Sequence, residues 1–366
     1  MSIQKQFPDV HWVWKGGISF VYEVHPRIVV KVPKPGGFER EQFQKELEIY
    51  KTFSQNPPCP SIVQCFFYAD NGILIEYMRV TKVEKLETLP LRKEWMNDLA
   101  QAVAFLESLS LAHGDLLPEN ILLDRNRLKL SDFDCTAEIG TDFEACMAPY
   151  GRLLNSDEQD HGRRGSSGFL GSRTEQFALG SLYYLINYGF EVYGDRCLAG
   201  NPKEHGRKAV DLLQNMEFPK LDGDPLIDKI ISKCWHNKYD TIAELATYTE
   251  VLRLRRNTCR GLEAETTSTP QWRTVIGRMF RGLWNRLRSW WDFLFCHTSQ
   301  TTKPELTIGG ELNGHSHGIG QKVLEDISSK MIFCQNLEKR GLLQMLSSGE
   351  PEQLGFTLEW YRHSTG

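Results

Sequence analysis

Residues 111–138, LAHGDLLPENILLDRNRLKLSDFDCTAE, constrain this chain more than any other stretch. They hold Asp115, Asn120 and Asp132 in a short span broken by two apolar runs, Ile121-Leu122-Leu123 and Leu128-Lys129-Leu130. Those runs have strand character and are too short for helices. The Asp-Arg-Asn triplet at 124–126 reads as a hairpin turn between them, so the segment is predicted as loop, strand, turn, strand and a second loop entered through Asp132. Two carboxylates and a carboxamide then end at one edge of a small ribbon. A site needs this when one acid orients a hydroxyl while the other acid and the amide hold magnesium against a nucleotide's phosphates. On the residues alone, Asp115 and Asn120 also read as turn or cap residues, and His113 as a satisfied core histidine.

His113-Gly114-Asp115 followed by Asn120, and then Asp132-Phe133-Asp134, resembles the catalytic loop and metal loop of the eukaryotic protein kinase fold. More narrowly, the block resembles a group of kinase-like proteins of filamentous fungi. Both pieces stand in the right order and at the right spacing, which makes the combination specific. The resemblance implies an α+β, bilobal protein kinase-like fold. A small antiparallel sheet lobe plus one helix would span residues 1–78, and a large, mainly helical lobe 79–255, followed by a C-terminal helical tail. It also implies ATP and magnesium as cofactors, Asp115 as the catalytic residue that accepts the acceptor's proton, Asn120 and Asp132 as metal ligands, and Leu122 and Asp132 at the cofactor site.

Upstream, residues 12–32 give short strand-like runs punctuated by Gly16-Gly17 and His25-Pro26. By the resemblance these are the nucleotide-covering hairpin and the strand of the phosphate-binding lysine, Lys31, which follows Ile28-Val29-Val30. Glycines at such a turn let backbone amides approach phosphate oxygens, which makes Gly16, Gly17 and Val21 cofactor-site candidates. Trp14 and Ser19 stand where further glycines would, and the pair alone reads equally as an ordinary hairpin turn. Val29 replaces the small alanine that would face adenine and narrows the pocket. Residues 38–53 place Phe43, Leu47, Tyr50 and Phe53 at helical spacing, ended by Pro57-Pro58 and Pro60. On that helix Glu46 matches the acid that pairs with Lys31; without Lys31 it would read as one more solvated acid. Residues 62–68 and 72–78 read as two further strands. Glu76-Tyr77-Met78 resembles the connector whose backbone groups meet adenine, with Ile75 behind it.

Residues 92–111 form an amphipathic helix leading into the catalytic loop, 135–172 a long loop, and 173–189 a buried helix. Arg163-Arg164-Gly165-Ser166 in that loop reads as a solvated turn or as a phosphoacceptor. Glu175 stands where an aspartate usually braces the catalytic loop, and it accepts the same hydrogen bonds. Phe218-Pro219-Lys220-Leu221 and residues 230–245, with Cys234-Trp235, resemble the closing helices of the large lobe. Three residues depart from the pattern near the site. Leu117 replaces a cation two positions after the catalytic acid, Gly114 an arginine that would pair with a loop phosphate, and Asp134 a flexible glycine. The alanine-proline-glutamate motif and its arginine partner are both absent, a joint loss that strands no buried charge.

Composition bounds the rest. With 366 residues and 40% hydrophobic content the chain can bury a large core, and a net charge of −4 gives no global signal for nucleic acid. Nine cysteines without a C-x-x-C pair argue against a disulfide framework or zinc ribbon and suit a cytoplasmic location, with the nucleus or a membrane periphery as alternatives. The N-terminal residues lack a signal-peptide pattern, and no apolar window is long enough for a membrane span. Residues 256–270 read as a linker and 271–296 as a basic amphipathic helix, with Trp272, Met279, Leu283, Trp290 and Leu294 on one stripe flanked by arginines. Such a helix packs on the large lobe, lies on a membrane surface or docks on a partner protein. Residues 297–319 read as a disordered linker, in which His315 and His317 are a polar loop rather than a metal site, and 320–366 as a C-terminal helical segment with its helix to about 347.

The function that follows is an ATP-dependent phosphotransferase acting on a protein serine or threonine, slowed by the departures above. A pseudokinase that binds ATP as a scaffold, and a small-molecule kinase of the aminoglycoside or choline type, remain as alternatives.

Overall fold

The computed structural model describes residues 3–78, 87–124, 126–143, 146–151, 168–199, 201, 204–254 and 319–359. The expected phosphoacceptor at Ser166, the linkers, the 271–296 helix and both loop histidines lie outside them.

A one-turn helix α1 (Ile3–Gln6) precedes β1 (His11–Lys15), β2 (Ser19–His25) and β3 (Ile28–Pro33); helix α2 (Gly37–Ser54) then leads to β4 (Cys65–Ala69) and β5 (Gly72–Glu76). The strands form one five-stranded antiparallel sheet in the order β1-β2-β3-β5-β4. Strand four starts later than expected, because Ile62 and Val63 pair with Leu130 of the other lobe. In β3 every residue is buried, so the strand's alternation serves two apolar faces. Val29 and Lys31 lie opposite Ile75 and Ile73 and share a face with α2, where Phe43, Glu46, Leu47 and Tyr50 are buried at helical spacing.

The second lobe begins with α3 (Leu89–Ser108), which has a proline in its first turn. There follow β6 (Leu111–Ala112), a 3-10 turn (Pro118–Asn120), β7 (Ile121–Asp124), β8 (Arg127–Leu130), β9 (Ala137–Glu138), β10 (Asp142–Phe143) and β11 (Gly168–Phe169). The β7–β8 hairpin has the expected register, Ile121 opposite Leu130 and Asp124 opposite Arg127. The loop expected over 135–172 is pinned at intervals, since β9 pairs with β6 and β10 with β11. Helices α4 (Ser172–Tyr188), α5 (His205–Gln214), α6 (Pro225–Trp235) and α7 (Ile242–Leu254) complete the lobe. Its centre is a close crossing of α4 on α6, which requires Gly180: a Cβ there would lie 2.8 Å from the Trp235 ring.

Two expectations for this lobe need correcting. Residues 218–221 are not helical; Pro219 interrupts the segment, and Phe218 stacks on Trp235 at 4.5 Å. The expected 230–245 helix is two helices, because α6 ends at Trp235 and Asn237 takes a positive φ of 50° before α7 begins.

The C-terminal segment also divides, into α8 (Ile319–Lys339) and α9 (Leu342–Leu346), at Gly341 with φ 81°. The described residues of this segment from Lys322 onward group with the two lobes in one compact unit. The reason is the sheet's outer face. Phe20, Tyr22, Val24, Val30, Val32 and Leu74 point away from α2 and form a second core with Cys334, Leu337, Leu342, Leu343, Leu346 and Phe356. Glu359 N–H donates to Trp12 O at 2.8 Å on the edge strand, and Gln6 and Arg340 exchange hydrogen bonds of 3.0 and 2.8 Å. Among the described residues no helix is long and apolar enough to cross a membrane.

Leu343 is fully buried in this second core. Leu343→Ala is expected to cost about 2–5 kcal/mol by chemical denaturation, and an unchanged midpoint would detach α9 from the sheet lobe. The Tyr22 hydroxyl is buried with no hydrogen-bond partner among the described residues. Tyr22→Phe is therefore expected to leave the midpoint unchanged or raise it.

Candidate active site

Lys31 is where the sheet, α2 and the second lobe meet. Its Nζ donates to Glu46 Oε1 and Oε2 at 2.7 and 2.6 Å and to Asp132 Oδ1 at 2.7 Å. Burial by itself would drive the proton off Lys31, but Asp132 and Glu46 outweigh it and raise its pKa, so the ammonium persists. The same ammonium holds Asp132 below the usual carboxylate range despite its burial. Burial pushes Glu46 up, against the pull of Lys31. Asp132 reaches this position with φ 65°, a left-handed conformation that costs a non-glycine residue roughly 1–2 kcal/mol. Phe133 secures it: fully buried, its ring meets Tyr50 at 5.6 Å, Phe53 at 5.0 Å and His113 at 5.4 Å.

Asp115 and Asn120 form the second half of the site. Asn120 Nδ2 donates to Asp115 O at 2.9 Å and to Asp115 Oδ2 at 3.0 Å. Burial and then the charge of Asp134 push the Asp115 carboxyl up to about 7, with Asn120 opposing. Asp134, also raised by burial and then by Asp132, is the largest charged neighbour acting on Asp115. Its backbone is outside the left-handed region, so an aspartate fits there without strain. Gly114, in contrast, takes φ 78°, which explains a glycine where the resemblance would have arginine.

His113 fixes the loop between these halves. Its Nε2 lies 3.2 Å from Ser131 O, an acceptor, and its Nδ1 accepts the Asp115 N–H at 3.3 Å, so the ring is the neutral Nε2–H tautomer. Burial lowers its pKa to about 4, in agreement. The loop's other support is Glu175 at the start of α4, which accepts the His113 and Gly114 N–H groups at 2.9 and 3.2 Å. Leu117 is 9% exposed and belongs to the main core, so no cation stands at that position.

The remaining candidates divide. Val21 pairs with Lys31 across β2 and β3, and Val29 and Met78 are buried in the main core, against which Val21 and Leu122 pack. Gly16 and Gly17 form the β1–β2 turn, but Gly17 has open space where a Cβ would go, and its carbonyl accepts Lys34 Nζ at 2.6 Å. The Glu76 carboxylate is engaged by Lys129 at 2.5 Å, which leaves only its backbone for a nucleotide. As to metal, the contacts above use Asp132 through Oδ1 and Asn120 through Nδ2. Their remaining oxygens, Asp132 Oδ2 and Asn120 Oδ1, are hard donors of the kind magnesium takes. Among the described residues no group of three or more His, Cys, Asp or Glu is arranged to hold a metal.

One segment was missed. Ala148-Pro149-Tyr150 lies within the loop, with Tyr150 third where the motif has glutamate. The Tyr150 hydroxyl donates to Glu191 Oε1 at 2.9 Å, and Ser181 Oγ donates to Pro149 O at 2.6 Å while accepting from Trp235 Nε1 at 3.2 Å. The alanine-proline pair was the signal in the sequence. A hydroxyl-to-carboxylate hydrogen bond here anchors the loop.

Glu175→Ala leaves two buried N–H groups without acceptors and is expected to cost roughly 1–3 kcal/mol for each. Glu175→Gln, which keeps one acceptor oxygen, should lose about half of that in equilibrium unfolding. Equal losses for the two variants would show that the brace acts through packing alone.

Residues 24–152 match the family model described as the protein kinase domain. The chain is 24% identical over 155 residues to mitogen-activated protein kinase kinase 7 of Arabidopsis thaliana, covering 39% of this chain and 50% of that protein. It is 27% identical over 248 residues to the probable serine/threonine-protein kinase FMP48 of Saccharomyces cerevisiae, covering 58% and 64%. It is 45% identical over 58 residues to serine/threonine-protein kinase ppk24, mitochondrial, of Schizosaccharomyces pombe, covering 16% and 13%. The chain thus spans less than two thirds of the length of these relatives. Together the family match, the antiparallel sheet lobe and the helical lobe show the fold of a protein kinase domain.

Proposed function

We propose that this protein is an ATP- and magnesium-dependent protein serine/threonine kinase of low turnover. The observation that carries this reading is Lys31, held within 2.7 Å of both Glu46 and Asp132, together with the Asn120–Asp115 hydrogen bond in the preceding loop. The ammonium supplies a fixed positive charge on the phosphate side. Asp132 and Asn120 would hold magnesium, which neutralises phosphate charge when bound. Asp115, with its pKa raised to about 7, is a stronger base than an ordinary aspartate and accepts the acceptor hydroxyl's proton. Neutral His113 and Glu175 hold that loop in place. Without a cation at Leu117 one stabilising group is lost from the transferring phosphoryl, a deficit of about a hundredfold by analogy with removing one preorganised donor. The Saccharomyces cerevisiae relative, a probable serine/threonine-protein kinase, supports a protein hydroxyl as acceptor.

Asp134 favours a second reading, since small-molecule kinases of the choline or aminoglycoside type also tolerate an acid after the metal-binding aspartate and use His-Gly-Asp. Labelled phosphate transfer from ATP, run on protein and small-molecule acceptor panels with Asp115→Asn as control, separates the two. Transfer to neither, with a thermal shift by magnesium-ATP, would leave an ATP-binding scaffold.

The pH profile gives a sharper expectation. The acid limb of kcat/KM should fall near the Asp115 value of about 7, because the base must be ionised. Asp134→Asn removes the largest charged neighbour, so the limb should move to lower pH. A limb that stays put would remove Asp115 as the base.

A further inference from the structure

The turn between β1 and β2 is held by a side chain to which the nucleotide reading gives no part. Lys34, the residue after β3, donates from Nζ to Gly17 O at 2.6 Å and from its N–H to Ile18 O at 2.9 Å, while the Gly16 N–H donates to Ser19 O at 2.9 Å. The ammonium is not placed by that carbonyl alone. It lies 5.7 Å from the Phe20 ring centroid, with Lys15 Nζ 5.8 Å from the same ring. Phe20 is in turn buried in the second core, where Trp12 meets it edge-on at 6.1 Å. Because Phe20 pairs with Val32 and the next pair is Val21 with Lys31, the Lys34 ammonium stands on the face of the sheet opposite Lys31.

The Gly17–Ile18 peptide is trans, so its C=O and N–H point in opposite directions. With the Gly17 carbonyl turned to Lys34, the Ile18 N–H is turned to the face that carries Lys31. The Ile18 side chain packs on the main core, on that same side. Glycine's freedom would let this peptide take either orientation, and Lys34 selects one.

We propose that Lys34 is a positioning residue for the nucleotide: by holding the Gly17 carbonyl from the outer face it keeps the Ile18 N–H aimed at the phosphates that Lys31 meets, a role that rests on the functional reading above. A backbone donor so fixed stabilises phosphate oxygens. It also gives order to a turn in which Trp14 and Ser19 stand where glycines would.

The test uses the full chain with Lys34→Met, which keeps an apolar stem over Phe20 and removes the donor, and Lys34→Arg, which keeps a donor. Affinities for magnesium-ATP and for adenosine are measured by calorimetry, with the unfolding midpoint alongside. Lys34→Met should weaken magnesium-ATP about fivefold, the worth of one hydrogen bond, and leave adenosine and the midpoint unchanged. Lys34→Arg should restore the wild-type affinity. An unchanged magnesium-ATP affinity in Lys34→Met, an equal loss for adenosine, or no restoration by arginine would each overturn the role of Lys34 while the nucleotide reading stands. A wild-type protein that binds neither ligand at millimolar concentration would remove the nucleotide reading and the role of Lys34 with it.

Discussion

A buried ammonium shared by two carboxylates is the interaction on which the structure turns. Lys31 is 8% exposed and Glu46 fully buried. Taking such charges out of water is expensive unless each finds its partner in good geometry. That requirement fixes three elements at once. β3 must present Lys31 on the α2 side, α2 must turn Glu46 inward among Phe43, Leu47 and Tyr50, and the second lobe must deliver Asp132. Phe133, wedged between α2 and His113, makes the third condition compatible with the strained backbone of Asp132.

The same strand explains the C-terminal segment. β3 carries apolar residues on both faces, so a sheet covered by α2 alone would leave Val30, Val32, Tyr22 and Leu74 against water. Residues of α8 and α9 and Phe356 cover that face, and Glu359 takes up a backbone carbonyl of the exposed edge strand. Val21 and Lys31 point to one side of the sheet while Phe20, Tyr22, Val30 and Val32 point to the other.

The departures from the protein kinase pattern are locally consistent. Gly114 sits where glycine is unstrained, Leu117 is absorbed into the core, and Tyr150 replaces an ion pair by a hydroxyl hydrogen bond to the Glu191 carboxylate. Only Asp134 adds charge. It adds a third carboxylate to Asp115 and Asp132, and helps raise the Asp115 carboxyl to about 7.

The amino-acid sequence by itself determined the local pieces. Phe43, Leu47 and Tyr50 at helical spacing define the inner face of α2, two short apolar runs about a polar turn define the β7–β8 hairpin, and the order Lys31, Glu46, Asp115, Asn120, Asp132 marks the site. These signals are short-range, set by backbone periodicity and turn chemistry. Only the tertiary structure decided what each face meets. That α9 covers β3 and β5, that Glu76 belongs to Lys129 rather than to a ligand, that Tyr150 finds Glu191, and that Phe218 leaves the helical pattern to stack on Trp235 all depend on contacts between residues distant in the chain. An apolar face in sequence states that it must be buried. Which partner buries it is settled by packing the whole chain at once.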